Sequence, residues 1–342
     1  MAEVRAQRAS KPPHPIADNA RGGHLAYRDP MPHTVVAEIV RSGFIEGRHR
    51  GSVVALAADG SVDWAVGDAD APILPRSCNK PLQALAMVEL GLDLPPDLLA
   101  LACASHSGEA FHLDGVRRIL AGAGLTETSL QTPLDWPYDE AEKEAVLRSG
   151  GERSRIAMNC SGKHAAMLAT CVLRGWSTDD YLSPDHPLQQ AIVRTFEEST
   201  GEPIAVLAVD GCGAPLLSTS LTGLARALRG LAVAESGPRR QITEAIRTHP
   251  TWVSGTRRDE AALLQAVPGA IGKLGAEASY VVALADGRAV ALTIEDGADR
   301  ARPIVMVAAL RRLGIENEVL DRIGTHPLLG GGMPVGEIRA VL

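Results

Sequence analysis

Residues 77–91 read Ser-Cys-Asn-Lys-Pro-Leu-Gln-Ala-Leu-Ala-Met-Val-Glu-Leu-Gly and carry the strongest structural signal in the chain. Within residues 82–90, Gln83 and Glu89 are the only strongly polar side chains, so the segment predicts a helix that is apolar nearly all round and therefore buried. Pro81 must lie in its first turn, because proline inside a helix costs about 3 kcal/mol. A hydroxyl, a thiol and an amine thus gather where the backbone N–H groups of a buried helix lack partners.

Strand patterns lie at both ends of the chain, and helical patterns lie between them. Stretches rich in β-branched and apolar residues, together with turn sequences at 58–61 and 286–287, predict strands at 34–40, 52–57, 62–66, 280–285, 289–294 and 335–342. Apolar periodicity predicts helices at 78–90, 113–120, 162–174, 187–198, 216–228 and 301–313. This order predicts an α+β fold, with an antiparallel sheet from both chain ends and a helical middle.

The composition fits a globular protein with a full core. The 342 residues are 45% hydrophobic and carry a net charge of −7, and their few aromatic residues speak against a nucleic-acid binder. No apolar run approaches the ~20 residues of a membrane span. Five widely spaced cysteines without a Cys-x-x-Cys pair predict a cytoplasmic location. Residues 1–30 lack the apolar core of a secretory signal, and we expect a mobile tail before one domain at 31–342.

The first chemical pattern is Ser77-x-x-Lys80. Positions three apart share a helix face, so we expect the Lys80 amine within reach of the Ser77 hydroxyl. A serine becomes a nucleophile when a base takes its proton, and burial or a nearby cation favours the neutral lysine that can do so. The alternative interpretation is a serine that caps the helix beside a surface lysine.

Two further segments could complete such a site. Gly272-Lys273-Leu274-Gly275 places a lysine between glycines ahead of a predicted strand, and some acyl-transfer enzymes combine Ser-x-x-Lys with a late Lys-x-Gly motif. Residues 103–109, Cys-Ala-Ser-His-Ser-Gly-Glu, could supply a middle serine. The alternatives are a loop lysine and a polar loop between two helices.

Two cysteines stand beside other polar residues. Cys160 opens a predicted helix in the sequence 159–164, Asn-Cys-Ser-Gly-Lys-His, and Cys212 follows Asp210 and a glycine. Cysteine thiolates are common metal ligands, but two distant cysteines are more often buried structural residues. Spacing alone therefore leaves both interpretations open.

Taken together, these segments resemble the rhizobial-type asparaginase II family. The matching motifs occur in the family's order and lie at residues 76–84, 103–107, 159–164, 210–212 and 272–276. The resemblance implies a fold like that of the serine β-lactamases and a group of glutaminases. It also implies hydrolysis of L-asparagine to L-aspartate and ammonia by a homodimer.

The resemblance assigns roles to individual residues. Two serine–lysine dyads would be catalytic, namely Ser77 with Lys80 and Ser105 with Lys273. Three residues would line the substrate pocket: Arg76, which can grip a carboxylate, Asp210, which can take an ammonium group, and His164. One zinc ion, completed by water, would be held by Cys160, Lys163 and Cys212.

Two stretches depart from the family pattern. These are the acidic run 139–144 and the Gly213-Ala214-Pro215 segment, and either could alter the substrate range. The alternatives are therefore a serine amidohydrolase of other specificity, such as a glutaminase or a β-lactamase-like hydrolase, and a non-enzymatic zinc protein. The intact serine–lysine set argues against the last of these.

Overall fold

A computed structural model describes residues 33–342, so the tail predicted at 1–30 lies outside the described residues. The strands of the described chain are β1 (Thr34–Arg41), β2 (Phe44–Leu56), β3 (Val62–Val66), β4 (Leu207–Val209), β5 (Pro215–Leu217), β6 (Ile271–Leu274), β7 (Tyr280–Ala283), β8 (Ala289–Ile294), β9 (His326–Gly330) and β10 (Met333–Ala340). The helices are α1 (Lys80–Glu89), α2 (Pro96–Ala102), α3 (Ala110–Gly122), α4 (Glu140–Arg148), α5 (Ser161–Arg174), α6 (Pro187–Thr200), α7 (Leu221–Ala232), α8 (Gly237–Thr248), α9 (Pro250–Val253), α10 (Asp259–Ala266), α11 (Arg302–Arg312) and α12 (Glu318–Ile323).

The main sheet joins the first and last strands of the described chain. Its order is β6-β7-β8-β2-β1-β10-β9, and every pairing is antiparallel. The long strand β2 pairs with β1 through its first half and with β3 through its second half, while β8 lies on its other edge. The second half of β2 is wholly buried, which marks the part of the sheet that helices cover.

Most of the helices lie between β3 and β6 along the chain, and they pack against one another and against the sheet. Helix α1 is buried along almost its whole length, and it contacts α2, α5, α6 and α8. Helices α7 and α11 contact the sheet itself. The core is therefore continuous from the sheet into the helical part, and the start of α1 lies inside it. Within residues 33–342, no helix is both long enough and apolar enough to cross a membrane.

The predicted fold class is confirmed by this topology. The prediction of a helix at 216–228 is wrong at its start, because Pro215–Leu217 forms β5 and pairs with β4. The helix begins only at Leu221, where the Ser220 side chain caps it by accepting from the Gly223 N–H. Strands β6 and β9 were not predicted, since a four-residue strand and a Pro-Leu-Leu-Gly sequence give little alternation.

Candidate active site

Ser77 lies in a tight turn immediately before α1. Residues Arg76–Asn79 form a single turn of 3-10 helix, and the α-helix begins at Lys80 with Pro81 in its first turn. Arg76 adopts a left-handed backbone conformation with φ +51°. A non-glycine residue held in this region is strained, and such strain is concentrated at functional sites. The turn is therefore a candidate for the position of a reactive serine.

The Ser77 turn opens into a cavity of about 220 Å³ that Ser105 also lines. The side chains around it include Tyr138, Asn159, Arg258 and Arg302. Ligand sites for drug-sized molecules have volumes of about 300–1,000 Å³, so this cavity suits a smaller compound. We call it the serine–lysine cavity, because two buried lysines, Lys80 and Lys273, lie behind its two serines.

Lys80 donates to the second serine of the cavity. Its Nζ lies 2.9 Å from Ser105 Oγ and 2.5 Å from the Ala104 carbonyl oxygen, and the residue is only 1% exposed. The alternative of a surface lysine is therefore excluded. Among residues 33–342, the side chain of Ser77 accepts no hydrogen bond from either lysine. The expected contact between Lys80 and Ser77 requires an α-helix that begins at Ser77. Residues Arg76–Asn79 instead form a 3-10 turn, which changes the direction of the Ser77 side chain.

Lys273 is paired with a carboxylate that the sequence did not single out. It lies on β6, fully buried, and its Nζ is 3.0 Å from Glu260 Oε1 and 2.8 Å from the Leu274 carbonyl oxygen. Burial lowers the pKa of Lys273, and the positive charge of Lys80 adds to this while Glu260 opposes it. The structure thus groups the residues of the expected dyads differently: Lys80 contacts Ser105, and Lys273 contacts Glu260.

Strand β6 is held against the Ser77 turn by a close backbone approach. The Cys78 thiol donates to the Lys273 carbonyl oxygen across 3.1 Å. A Cβ at Gly275 would lie 2.5 Å from the Pro75 carbonyl oxygen, so only glycine fits there. Gly275 therefore allows the end of β6 to lie directly against the Ser77 turn. Lys273 is a buried residue of β6, so the alternative of a loop lysine is wrong.

Ser105 is fixed by the backbone on both of its sides. Its own N–H donates to the Val253 carbonyl oxygen, and the N–H of His106 donates to the Asn159 carbonyl oxygen, both across 3.0 Å. The His106 ring in turn contacts the Ser161 hydroxyl at the start of α5. The segment 103–109 is thus a rigid polar connection that joins the cavity to the 159–164 motif.

Two of the residues expected to bind substrate are bound to each other. Arg76 Nε lies 2.8 Å from Asp210 Oδ1, and a second contact of 3.4 Å joins Arg76 to Glu277. His164 is fully buried, and its Nδ1 lies 2.7 Å from the Tyr181 hydroxyl. Neither His164 nor Asp210 is among the side chains that line the cavity. The ion pair between Arg76 and Asp210 connects the Ser77 turn to the β4–β5 hairpin.

A second cluster lies beside this hairpin. Lys163 Nζ is 3.2 Å from Cys212 Sγ, and Cys160, whose thiol donates to Asn159 Oδ1, packs in the same buried cluster as Cys212. The lysine and both cysteines are buried, and His164 Nε2, which faces Cys212, has no hydrogen-bond partner among the described residues. We call Cys160, Lys163, His164 and Cys212 the thiol cluster. The three predicted metal ligands therefore meet in space.

The charges of the thiol cluster are coupled to one another. The neighbouring Cys160 thiol and the positive charge of Lys163 lower the pKa of Cys212, which favours the thiolate form of this residue. Burial alone would lower the pKa of Lys163, but the negative Cys212, Cys160 and Asp210 outweigh it and raise that pKa.

Donor atoms on one tetrahedral zinc ion lie roughly 3.5 Å apart, which the 3.2 Å contact approximates. Cys160, Lys163 and Cys212 would therefore fit a zinc ion once the Lys163 amine had lost its proton. Within residues 33–342, no three or more His, Cys, Asp and Glu side chains are arranged for a metal, so the amine of Lys163 would have to serve as a ligand.

The structure adds three side chains that the motifs did not reveal. Glu260 neutralises Lys273, while Tyr138 and Arg258 form part of the cavity wall. Acidic residues in the first turn of a helix are common for electrostatic reasons, so Glu260 in α10 carried no functional signal. The divergent acidic run begins at Asp139, which caps α4 next to Tyr138 and therefore does lie beside the cavity.

Comparisons with known proteins agree with the motifs. Solved structures that the chain resembles include a β-lactamase from Mycobacterium bovis (16% identity, TM-score 0.44, covering 78% of this chain and 95% of that one). Two others are EstCE1, a hydrolase with promiscuous acyltransferase activity (15%, 0.39, 80% and 93%), and a Bacillus glutaminase (12%, 0.32, 78% and 92%). No curated protein sequence matches the chain at a significant level. The sequence model of the family described as L-asparaginase II matches residues 37–340. The chain therefore belongs to the L-asparaginase II family, a family of amidohydrolases that act on small molecules.

Proposed function

We propose that the protein hydrolyses L-asparagine to L-aspartate and ammonia through an acyl-enzyme on Ser77. One observation supports this most directly: Ser77 and Ser105 open into one small cavity, and a buried lysine donates to the second of them. A nucleophile, a base and a second hydroxyl within one enclosed volume are the parts that acyl transfer requires.

Lys80 is the base in this proposal, and it contacts the second serine of the cavity. A neutral amine has two N–H groups and one lone pair, and the Ala104 carbonyl and the Ser105 hydroxyl occupy two donor positions. The remaining position would accept the proton of Ser77 as its oxygen attacks the side-chain amide carbonyl. The Ser105 hydroxyl, held by Lys80, would then pass a proton to the departing ammonia.

Charge develops on the substrate carbonyl oxygen during the attack. Backbone N–H groups at the start of a helix are fixed donors, and the N–H of Ser77 lies at such a start. The buried Lys273 adds positive charge behind the cavity, and Glu260 compensates that charge when no substrate is bound. Water would then hydrolyse the ester and release L-aspartate.

The thiol cluster would hold zinc through Cys160, Lys163 and Cys212. Bound there, a zinc ion would supply a fixed positive charge that ties the β4–β5 hairpin to the start of α5. Asp210 contacts both Cys212 and Arg76, so a fixed position of Cys212 would also fix the position of Arg76 beside the Ser77 turn. Roles of Asp210 and His164 in substrate binding, a homodimeric assembly and a cytoplasmic location belong to the same proposal, while Arg76 would orient Asp210 through their ion pair.

The test is ammonia release from each amide-bearing amino acid, with and without added zinc. We expect L-asparagine to exceed L-glutamine by about 100-fold in kcat/KM, because one extra methylene displaces the carbonyl by more than ~1 Å. Comparable values for the two amides would instead indicate a general amidohydrolase. Turnover of a chromogenic β-lactam would favour a β-lactamase-like hydrolase, which the small cavity volume argues against.

A further inference from the structure

The cavity contains one arginine whose charge no carboxylate of the described chain neutralises. Arg302 is bound by Asp259 and Asp299, each at 2.7 Å. Arg76, at the mouth of the Ser77 turn, is bound by Asp210 and Glu277. Arg258 also lines the cavity, and within residues 33–342 it forms no ion pair.

The surroundings of Arg258 orient its guanidinium group. Its Cζ lies 4.3 Å from the centre of the Tyr138 ring, and Tyr138 is itself part of the cavity wall. Stacking on an aromatic face leaves the N–H groups at the edge of the guanidinium plane free to donate. The Nη1 atom is buried, and it has no hydrogen-bond partner among the described residues.

A buried donor without a partner is costly, so a site that keeps one generally has a ligand or water to satisfy it. The planar fork of arginine matches a carboxylate through two parallel hydrogen bonds. We infer that Arg258 binds the α-carboxylate of the amino-acid substrate and so selects amides that carry this group. The inference rests on the proposed function for the identity of the ligand, and it places the carboxylate on Arg258 rather than on Arg76.

Position in the fold supports this assignment. Arg258 immediately precedes α10, which carries Glu260, the partner of Lys273. The neighbouring Arg257 is bound to Asp139 and Glu142 at the start of α4, next to Tyr138. The two arginines thus clamp the α4 segment from one side, and only the second faces the cavity.

The test compares two ligands that differ only in this carboxylate, L-aspartate and β-alanine. Their binding is measured by isothermal titration calorimetry on the wild-type protein and on Arg258→Met and Arg258→Lys. We expect wild type to bind L-aspartate about 10- to 100-fold more tightly than β-alanine, the range of a charge-assisted hydrogen-bonded pair. Arg258→Met should abolish this preference and leave β-alanine binding within about twofold, while Arg258→Lys keeps part of the preference.

The matched control is Arg312→Met. Arg312 stacks on Trp64 with 4.4 Å between Cζ and the ring centre, and it lies outside the cavity wall, so its loss should leave the preference unchanged. Thermal denaturation of each variant checks that the fold is retained.

Three outcomes overturn the inference. Arg258→Met keeps the wild-type preference for L-aspartate, or it weakens the binding of both ligands equally, which would indicate a structural role for Arg258. The third outcome is that wild type binds neither ligand. The same titrations separate the inference from the proposed function. A preference that depends on Arg258 in a protein without asparagine hydrolysis would sustain the inference and reject the activity. If Arg258→Met hydrolysed L-asparagine with an unchanged KM, the proposed activity would be kept and the role of Arg258 would be rejected.

Discussion

The serine–lysine cavity and the thiol cluster each contain a buried lysine at the start of a helix, yet the two lysines meet different partners. Lys80 at the start of α1 donates to a carbonyl and a hydroxyl oxygen, both uncharged. Lys163 in the first turn of α5 donates to Cys212 Sγ, and the negative charge on Cys212 contributes most to raising the pKa of Lys163. The same residue type thus meets uncharged oxygens in one region and a sulfur atom in the other, and in our proposal the first lysine would transfer a proton and the second would bind a metal.

Lys273 shows a third environment. It is fully buried like the other two, but a carboxylate from α10 compensates its charge. The three lysines therefore differ in the partners of their amines. Removing these partners one at a time should affect catalysis, stability and metal content differently in the two regions.

Ser77→Ala should cause the largest loss. It removes the proposed nucleophile, and by analogy with serine nucleophiles elsewhere kcat should fall by about 10⁶-fold. The fold should persist, because Ser77 is only partly buried and caps no helix through its side chain. Ammonia release and circular dichroism give the two readouts. A variant that keeps more than roughly a tenth of the wild-type rate would remove Ser77 from the nucleophile role.

Glu260→Gln should strongly destabilise the fold. It leaves Lys273 buried without its counter-charge, which costs about 3–5 kcal/mol of unfolding free energy. The double variant Glu260→Gln with Lys273→Met should recover part of that loss, since both buried charges are then absent. Urea denaturation of the single and double variants measures this coupling. Equal stability of the two variants would show that the unpaired charge of Lys273 costs nothing in Glu260→Gln.

Cys160→Ser and Cys212→Ser should mainly affect substrate binding. Loss of groups that only orient a site typically costs about 10- to 100-fold, and we expect this in KM, with a smaller fall in kcat. Elemental analysis of each purified variant should show lost zinc beside the kinetics. The matched control is Cys171→Ser, another buried cysteine that lies outside the thiol cluster.

A collapse of kcat in the two cluster variants would instead assign the metal to activation of water. If wild-type protein contained no zinc and kept full activity in the presence of a chelator, Cys160 and Cys212 would have a structural role only.

The smallest effect concerns pH. Because the pKa of Lys273 is lowered in the folded protein, the unfolded chain binds more protons between that pKa and about 10.4. The free energy of unfolding contributed by this group should therefore rise with pH across that window, by at most about 1.4 kcal/mol per pH unit.

The reference for this measurement is the Glu260→Gln, Lys273→Met double variant, which lacks both groups. Denaturation from pH 7.5 upward should show wild type gaining stability relative to it. A flat difference would show that Lys273 titrates as it does in water.

The sequence predicted which candidate residues lie near one another better than it predicted their contacts. Residue type and spacing left Ser77, Ser105, Cys160 and Cys212 open between functional and structural interpretations, and only the family resemblance assigned their roles. Which amine contacts which hydroxyl depends on a 3-10 turn and on the position of β6, and both are set by long-range packing. Glu260 and Arg258 come from an ordinary helix start, where charged residues are expected without any function.

The same distinction holds for the fold. Alternation and turn residues located β1, β7, β8 and the hairpin between the last two, because those signals are local. The short β5 escaped prediction, since its apolar residues extend the pattern of α7 and only the Ser220 cap separates them.

The pairing of β1 with β10 has a consequence for synthesis on the ribosome. The two strands are about 300 residues apart, so at 5–20 residues per second β1 waits about 15 to 60 s for its neighbour to be made. During that interval one edge of the β1–β2 hairpin is open to pairing with other chains. We therefore expect the nascent protein to depend on chaperones, and removal of β10 to cause aggregation even though the cavity residues are retained.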